Sequence, residues 1–192
     1  MYSCPMLILA SASPRRLELL NRIGIVPALV VPADIDESEK PHETPRNYAL
    51  RVAMEKATII AKNYPNDFVL SADTVVSVGL RILPKACTSE QALYCLKLLS
   101  GRNHIVTTAI ALAHKGKIAK RAVSTKLAFK KLLPHEIDAY IQSQEWQGKA
   151  GGYGIQGLAG AFVMHLIGSW ESVMGLPLYE TKCLLDGAGF SK

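Results

Sequence analysis

The sequence predicts an α/β fold, because short apolar runs typical of strands alternate with longer segments that carry the apolar period of helices. Met6–Ala10 and Phe68–Val76 are such runs, and both are typical of buried strands. The first run leads into a segment with apolar side chains at Leu17, Leu20 and Ile23, which is the spacing of a helix. With 192 residues, the chain is long enough for one substantial α/β domain or two closely packed lobes.

Composition and charge indicate a globular protein with anionic partners. The chain is 49% hydrophobic and 20% charged, with a formal net charge of +6. Its basic residues are spread along the chain and only 7% of residues are aromatic, whereas nucleic-acid binders usually concentrate both. Nucleic acid is therefore not the expected partner, and small phosphorylated ligands fit the charge at least as well.

The sequence also carries signals about the cellular compartment. No apolar run approaches the length of a membrane span, and Met1–Ala10 lacks the basic start of a signal peptide. The cysteines show no CxxC pair and no metal-ligand spacing, so we expect reduced thiols in a cytoplasmic protein without membrane attachment. These cysteines are Cys4, Cys87, Cys95 and Cys183.

The first turn and helix form a candidate anion site. Ser13 is predicted to cap the helix, Pro14 to occupy its first position and Gly24 to end it. Arg15 and Arg16 then lie in the first turn, where the helix dipole disfavours a cation by about 0.3–1 kcal/mol. Backbone N–H groups, hydroxyls and guanidiniums would together form a phosphate cradle there, although the GxxxxGK[ST] pattern is absent. The alternative is a solvated basic turn.

The next segments contain acids and a lysine with two interpretations each. Ile25–Val31 is predicted to be a second strand, followed by the acidic loop Ala33–Glu39 and a helix from Thr44 to about Lys62. The loop is either solvated or supplies an oxygen ligand to Mg²⁺. Lys56 lies on the apolar row of the helix, where it either extends to water or points inward at phosphate.

Asp73 interrupts the apolar strand Phe68–Val76 and therefore needs a partner, because an unpaired buried carboxylate is costly. One interpretation places the acid at a strand end, where it caps a turn. The other places it at the mouth of the sheet, where it holds a metal or takes a proton from water.

The middle of the chain is predicted to contain a short strand after a turn, a helix, two antiparallel strands and a second helix. Thr88 and Gln91 form a capping-box pattern, and Lys115–Gly116 joins the two strands. His104 and His114 lie at strand ends without metal-ligand spacing, so we expect surface histidines. The elements are Leu80–Leu83, Thr88–Gly101, Ile105–Ala113, Ile118–Phe129 and Pro134–Gln144.

A glycine-rich segment, Gln147–Gly160, is either a flexible linker or a shaped ligand loop. Linkers rarely carry large side chains such as Tyr153, which favours the ligand loop. Gln156 offers donors and an acceptor that suit the edge of a base. The chain then continues with a predicted strand and a helix, Ala161–Ile167 and Leu176–Leu185.

Taken together, these features suit phosphoryl chemistry on a nucleotide with a divalent metal, without indicating which bond is cut. Four segments, in this order, also resemble the motifs of the Maf family of nucleoside triphosphate pyrophosphatases. The resemblance spans nearly the whole chain and rests on Ser11–Arg16, Ser71–Val76, Gly148–Gly157 and Gly175–Leu178.

The resemblance implies an elongated α/β fold, with a mixed sheet, helices on both sides and two lobes around a central cleft, similar to inosine triphosphate pyrophosphatases. It implies a single domain over residues 1–192 and a homodimer. It also implies cleavage between the α and β phosphates of a nucleoside triphosphate, giving a monophosphate and pyrophosphate with Mg²⁺ or Mn²⁺.

The resemblance further implies roles for individual residues. Asp73 matches the family's proton acceptor, and it is expected to hold the metal together with Glu37. Gln156 resembles the dTTP/UTP subgroup rather than the subgroup that acts on 7-methyl-GTP. Positions that match base-selecting residues are Arg15, Thr74 and Gln156, and positions that match phosphate-binding residues are Ser11, Arg16, Lys56 and Lys85.

Two segments depart from the family pattern. Pro84-Lys85-Ala86 stands where the family usually has Gly-Lys-Pro, and Glu171 precedes Ser172-Val173 where the family often has Asn before its valine. The alternatives left open are a non-catalytic regulator that binds nucleotides or nucleic acid, and a pyrophosphatase for modified nucleotides. The relative activity on dTTP, UTP and CTP and the preferred metal are left open as well.

Overall fold

A mixed β-sheet with helices on both faces forms the body of the protein in the computed structural model, which describes residues 5–190. The seven-stranded sheet has the order β2-β1-β3-β6-β7-β9, with β4 paired to β3, and β5 pairs with β8 in a separate ribbon. The strands are β1 (Leu7–Ala10), β2 (Leu29–Val30), β3 (Phe68–Val78), β4 (Arg81–Leu83), β5 (Lys85–Ala86), β6 (Asn103–His114), β7 (Lys117–Phe129), β8 (Lys149–Ala150) and β9 (Val163–Ile167). The helices are α1 (Pro14–Arg22), α2 (Pro45–Ala61), α3 (Ser89–Leu99), α4 (Pro134–Gln142), α5 (Trp170–Met174) and α6 (Leu178–Gly187), with a 3₁₀ turn at Leu158–Phe162.

Side chains that alternate between the two faces of β3 divide the core into two clusters. Leu70 and Val76 belong to the larger cluster, which also contains buried residues of α1, α3, α4 and α6. Val69 and Val75 belong to a smaller cluster with the apolar row of α2. Because successive side chains of a strand point to opposite faces, the odd-numbered residues of this stretch face α2.

Several local predictions are confirmed. Thr88 and Gln91 form a complete capping box at the start of α3, and Thr44 caps α2 by accepting from the backbone N–H of Asn47. Lys115 and Gly116, at φ of 47° and 73°, make the two-residue turn between β6 and β7. A turn of this kind needs positive φ at both central positions.

Other predictions were wrong in extent or missed an element. The predicted strand Ile25–Val31 is reduced to the two residues of β2, because Pro27 and Pro32 near its ends have no N–H to donate. The short helix α5 was not predicted, since five residues are too few to show a helical period. Its N-cap, Ser169, accepts from the backbone N–H of Ser172 at 3.0 Å.

The prediction of a surface position for His104 was wrong. Its side chain is buried, Nε2 lies 2.8 Å from the hydroxyl oxygen of Tyr153, and the ring packs edge-on against Phe129. Burial lowers the pKa of His104 to about 4, so the ring is neutral in the folded protein near pH 7. His114 is half-buried and stacks on Phe68 with ring centroids 3.8 Å apart.

The described residues also bear on the predicted compartment. Cys87, Cys95 and Cys183 are free thiols, whereas Cys4 lies outside residues 5–190. No helix in the described part of the chain is long and apolar enough to span a membrane. The cytoplasmic location, the single two-lobed domain and the homodimer stay predictions.

Candidate active site

A gap along one edge of β3 creates the centre of the site. On this edge, β1 pairs with Phe68–Ser71 and β4 pairs with Val76–Val78, while β6 covers the opposite edge. The residues between these pairings, Ala72–Val75, therefore have no strand on this edge, although β6 pairs with them on the other. Asp73 and Thr74 occupy this gap, with their side chains directed to opposite faces of the sheet.

Asp73 does not lie at a strand end, so the turn-capping interpretation is wrong; it is the sixth of eleven residues in β3. Its side chain faces α2, where Lys56 Nζ donates to Asp73 Oδ1 at 2.9 Å. The same Nζ contacts Glu37 Oε1 at 2.7 Å. Lys56 and Asp73 are about one-tenth exposed, whereas the side chain of Glu37 is 41% exposed. Of the two interpretations of Lys56, the structure selects the inward-pointing side chain.

On the other face of the sheet, Arg16 joins three parts of the chain. Its Nη1 donates to Ser11 Oγ at 3.0 Å, its Nη2 to Thr74 Oγ1 at 3.3 Å and its Nε to the carbonyl oxygen of Gly175 at 2.9 Å. Arg15 Nε donates to the carbonyl oxygen of Met174 at 3.4 Å. The two arginines thus connect the start of α1 to the segment after α5.

Burial changes the pKa of the two arginines at the start of α1. It lowers the pKa of Arg15 below the ordinary value of an arginine, and it does the same for Arg16, where nearby Asp73 opposes the effect. Because these cations are partly removed from water, their attraction for an anion is screened less than at an open surface.

Ser11 and Ser13 lie at the start of α1, and their hydrogen bonds differ from the predicted capping pattern. Ser13 occupies the N-cap position, as predicted, but its side chain does not cap the helix. Instead, Ser11 Oγ accepts from the backbone N–H of Ser13 at 3.1 Å as well as from Arg16. Ser11 Oγ therefore accepts two hydrogen bonds from within the protein.

The β5–β8 ribbon carries two lysines to the far wall of the site. Lys85 pairs with Ala150 across the ribbon and lines the cavity, although its sequence context departs from Gly-Lys-Pro. Lys149, on β8, was not predicted as a site residue, although its position inside the glycine-rich segment was a signal. Burial lowers the pKa of Lys149, and its Nζ donates to the carbonyl oxygen of Glu145.

The glycine-rich segment is a packed structure and not a flexible linker. Tyr153 and Ile155 are buried in the larger core cluster. Gly151 has φ of 64°, and a side chain there would lie 2.8 Å from Val76 Cβ, so only glycine fits without strain. Gln156 follows this buried stretch and is exposed at the rim of the site.

One cavity of about 630 Å³ brings all of the predicted site residues together. Lys149 and Tyr48 also line it. The predicted residues along its wall are Ser11, Arg15, Arg16, Glu37, Lys56, Asp73, Thr74, Lys85 and Gln156. A cavity of this size accommodates a small-molecule ligand.

The carboxylates suit a hard divalent cation. No group of three or more His, Cys, Asp or Glu side chains within residues 5–190 is arranged to hold a metal ion. Asp73 and Glu37 nevertheless both approach Lys56 Nζ, which places two carboxylates in one corner of the cavity. Mg²⁺ commonly takes one or two protein carboxylates and completes its shell with water and phosphate oxygens, so this donor pair fits it.

Comparison with known proteins identifies the family. The family described as Maf-like protein matches residues 6–188. This chain belongs to the Maf family.

Relatives of this Maf protein are similar over nearly their whole length. A dTTP/UTP pyrophosphatase from Caulobacter vibrioides is 60% identical over 99% of both chains. A dTTP/UTP pyrophosphatase from Zymomonas mobilis is 56% identical over 96% of this chain and 92% of the relative. The structure of a HAM1 protein from Coxiella burnetii matches 96% of this chain and all of that chain, with a TM-score of 0.55 at 18% identity.

These matches confirm the predicted Maf resemblance and the α/β fold class with a mixed sheet between helices. The roles of individual residues of this Maf protein stay predictions.

Proposed function

We propose that this Maf protein hydrolyses the bond between the α and β phosphates of dTTP and UTP, with water, to give the nucleoside monophosphate and pyrophosphate. The observation that carries the proposal is the single cavity in which a carboxylate, several cations and an amide meet. The names of the relatives, each a dTTP/UTP pyrophosphatase, support the same reaction and substrates.

In this proposal Asp73 is the proton acceptor. Lys56 balances the charge of the carboxylate and holds it in one orientation by the 2.9 Å hydrogen bond to Oδ1. Within residues 5–190, Lys56 is the one hydrogen-bond donor to this side chain, so Oδ2 is available to orient water. The open edge of β3 gives that water access to the carboxylate.

Several cations of the cavity are proposed to bind the triphosphate. Arg15 lies at the start of α1, whose backbone N–H groups favour an anion, and Lys85 and Lys149 line the wall formed by the β5–β8 ribbon. Arg16 donates hydrogen bonds to Ser11, Thr74 and Gly175. Its proposed role is therefore mainly to hold the phosphate site in shape. Cations held in place before the reaction stabilise charge that develops on the phosphates.

Mg²⁺ or Mn²⁺ is the proposed cofactor, held by Asp73 and Glu37. When bound, such a cation neutralises charge on the phosphate oxygens. The ammonium of Lys56 contacts both carboxylates, at 2.7 and 2.9 Å, and so offsets their mutual repulsion.

Gln156 is the proposed reader of the base. Its amide supplies donors and an acceptor at the rim of the cavity, next to the buried Tyr153–Ile155 stretch. Arg15 and Thr74 line the same cavity and are the other proposed contributors to base choice.

The test is pyrophosphate release from dTTP, UTP, CTP, ITP and 7-methyl-GTP by the wild type and by Asp73→Asn, with Mg²⁺, with Mn²⁺ and with a chelator. We expect release from dTTP and UTP that stops in the chelator and falls at least about 10³-fold in the variant. Nucleotide binding by Asp73→Asn, measured by calorimetry, should remain. Binding without release by the wild type would instead indicate a regulator, and release from ITP or 7-methyl-GTP alone would indicate a pyrophosphatase for modified nucleotides.

A further inference from the structure

The segment that carries Glu37 has no helix or strand of its own. It spans residues 33–43 between β2 and α2, and most of its side chains are exposed. Glu37 nevertheless reaches into the cavity to contact Lys56 at 2.7 Å. Backbone pairing does not hold this segment in place, so contacts made by side chains must do so.

Arg51 makes three of these contacts from α2. Its Nε and Nη2 donate to the two carboxylate oxygens of Glu43 at 2.7 and 2.8 Å, and Nη2 also donates to the carbonyl oxygen of Ser38 at 2.9 Å. The side chains of Arg51 and Glu43 are only 15% and 10% exposed. A bidentate arginine–carboxylate pair of this burial is stronger and more directional than an exposed ion pair.

Tyr48 adds a contact at Glu37 itself. Its hydroxyl donates to the carbonyl oxygen of Glu37 at 2.7 Å, and the guanidinium of Arg51 lies over its ring, 5.3 Å from the centroid. The carbonyl of Glu37 and that of Ser38, the next residue, are therefore held by two neighbouring side chains of one helix. Hydrogen bonding to Glu43 raises the pKa of Arg51, so the guanidinium stays charged.

Helix geometry links these contacts to the corner of the cavity where Lys56 contacts Asp73 and Glu37. Tyr48, Arg51 and Lys56 lie three and then five residues apart on α2, so the helix sets the distances between them. A segment fixed to Tyr48 and Arg51 is thereby fixed relative to Lys56. Arg51 also bonds Glu55 at 3.1 Å within the helix, and Glu55 in turn pairs with Lys40 of the segment at 3.5 Å. The side chains of Lys40 and Glu55 are both more than one-third exposed, so this pair contributes less than the buried Arg51–Glu43 pair.

We propose that Arg51, assisted by Tyr48, is a positioning residue that holds the 33–43 segment on α2 so that the Glu37 carboxylate contacts Lys56, the lysine that also bonds Asp73. The kinetic part of this proposal rests on the proposed function, whereas the structural part does not. Arg51 touches no reacting atom and acts through Glu37.

Hydrogen exchange of the free protein tests the structural part. The backbone N–H groups of Ser38 and Lys40 are bonded to Asp36 and Glu43 side chains, which makes them reporters of order in the segment. Arg51→Gln is expected to speed their exchange at least about tenfold while exchange in β3 is unchanged. The matched control is Arg46→Gln, an exposed arginine of the same helix that donates to the carbonyl oxygen of Ala122. Unchanged exchange in Arg51→Gln would overturn the proposal, whether or not the wild type releases pyrophosphate.

Kinetics test whether Arg51 acts through Glu37. Arg51→Gln and the milder Tyr48→Phe are each expected to lower kcat, by about tenfold and about threefold respectively, and to raise the Mg²⁺ concentration needed for half-maximal rate. Arg51→Lys should not rescue kcat, because an ammonium cannot make the bidentate contact.

A double-variant comparison completes the design. Glu37→Gln with Arg51→Gln is expected to be no slower than Glu37→Gln alone, since the second change has nothing left to misplace. Additive losses, or faster exchange with unchanged kcat and Mg²⁺ dependence, would overturn the action through Glu37. A wild type without pyrophosphate release would refute the proposed function, and the exchange experiment would still decide whether Arg51 holds the segment.

Discussion

Removing the ammonium of Lys56 tests the charge balance at the centre of the site. The change is Lys56→Met, which keeps most of the length and packing of the side chain but removes its charge. Asp73 then loses its hydrogen-bond donor within the described chain, while its side chain is only 9% exposed. A buried carboxylate without a hydrogen-bond donor is costly.

The expected loss follows from burial. Removing one partner of a buried ion pair costs about 3–5 kcal/mol. Because the site opens onto the cavity on one side, we expect the lower end, about 3 kcal/mol of unfolding free energy. Lys56→Met with Asp73→Leu leaves no charge of this pair and is expected to recover most of the loss, since Glu37 is exposed enough to turn to water.

Urea denaturation followed by circular dichroism measures these free energies of unfolding. Lys182→Met is the matched control, because Lys182 pairs with Asp186 while both side chains are more than half exposed. Its expected cost is below about 0.5 kcal/mol. A loss below about 1 kcal/mol in Lys56→Met, or a double variant no more stable than Lys56→Met, would refute the view that Lys56 compensates a buried Asp73.

Two further predictions concern the glycine-rich segment and its support. Gly151→Ala should cost about 2–4 kcal/mol of unfolding free energy, because it combines positive φ with a Cβ 2.8 Å from Val76. Gly148→Ala has the same φ of 64°, but its Cβ would meet only Lys85 Cε at 3.9 Å, so it should cost about 1 kcal/mol by urea denaturation. Equal costs for the two variants would contradict the close-contact argument. His104 is neutral when folded and has a pKa of about 4, below its value of about 6.5 when unfolded, so the unfolded state binds more protons between these pH values and stability falls as pH falls. The expected loss between pH 7 and pH 4 is about 3 kcal/mol from this group, and His104→Phe should lack it; an identical pH profile for the variant would contradict the assignment.

The amino-acid sequence by itself determined the local structure and the family. Capping residues such as Thr88, the Lys115–Gly116 turn and the apolar period of each long element depend on neighbours in the chain, so they are visible without a fold. The sequence also showed that Asp73 needs a partner, because one acid in a buried strand is costly wherever the strand lies.

Only the tertiary structure decided which groups meet. Lys56 is compatible with water or with the interior by its spacing, and the packing of α2 on the odd-numbered face of β3 is what directs it at Asp73. Thr74, the residue after Asp73, points to the opposite face of the sheet because side chains alternate along a strand, and there its hydroxyl accepts from Arg16. The sequence predicts an exposed strand end for His104, whereas in the folded protein Tyr153, 49 residues further along the chain, packs against it and buries it. Contacts of this kind depend on how elements pack, and the period of a single element does not contain that information.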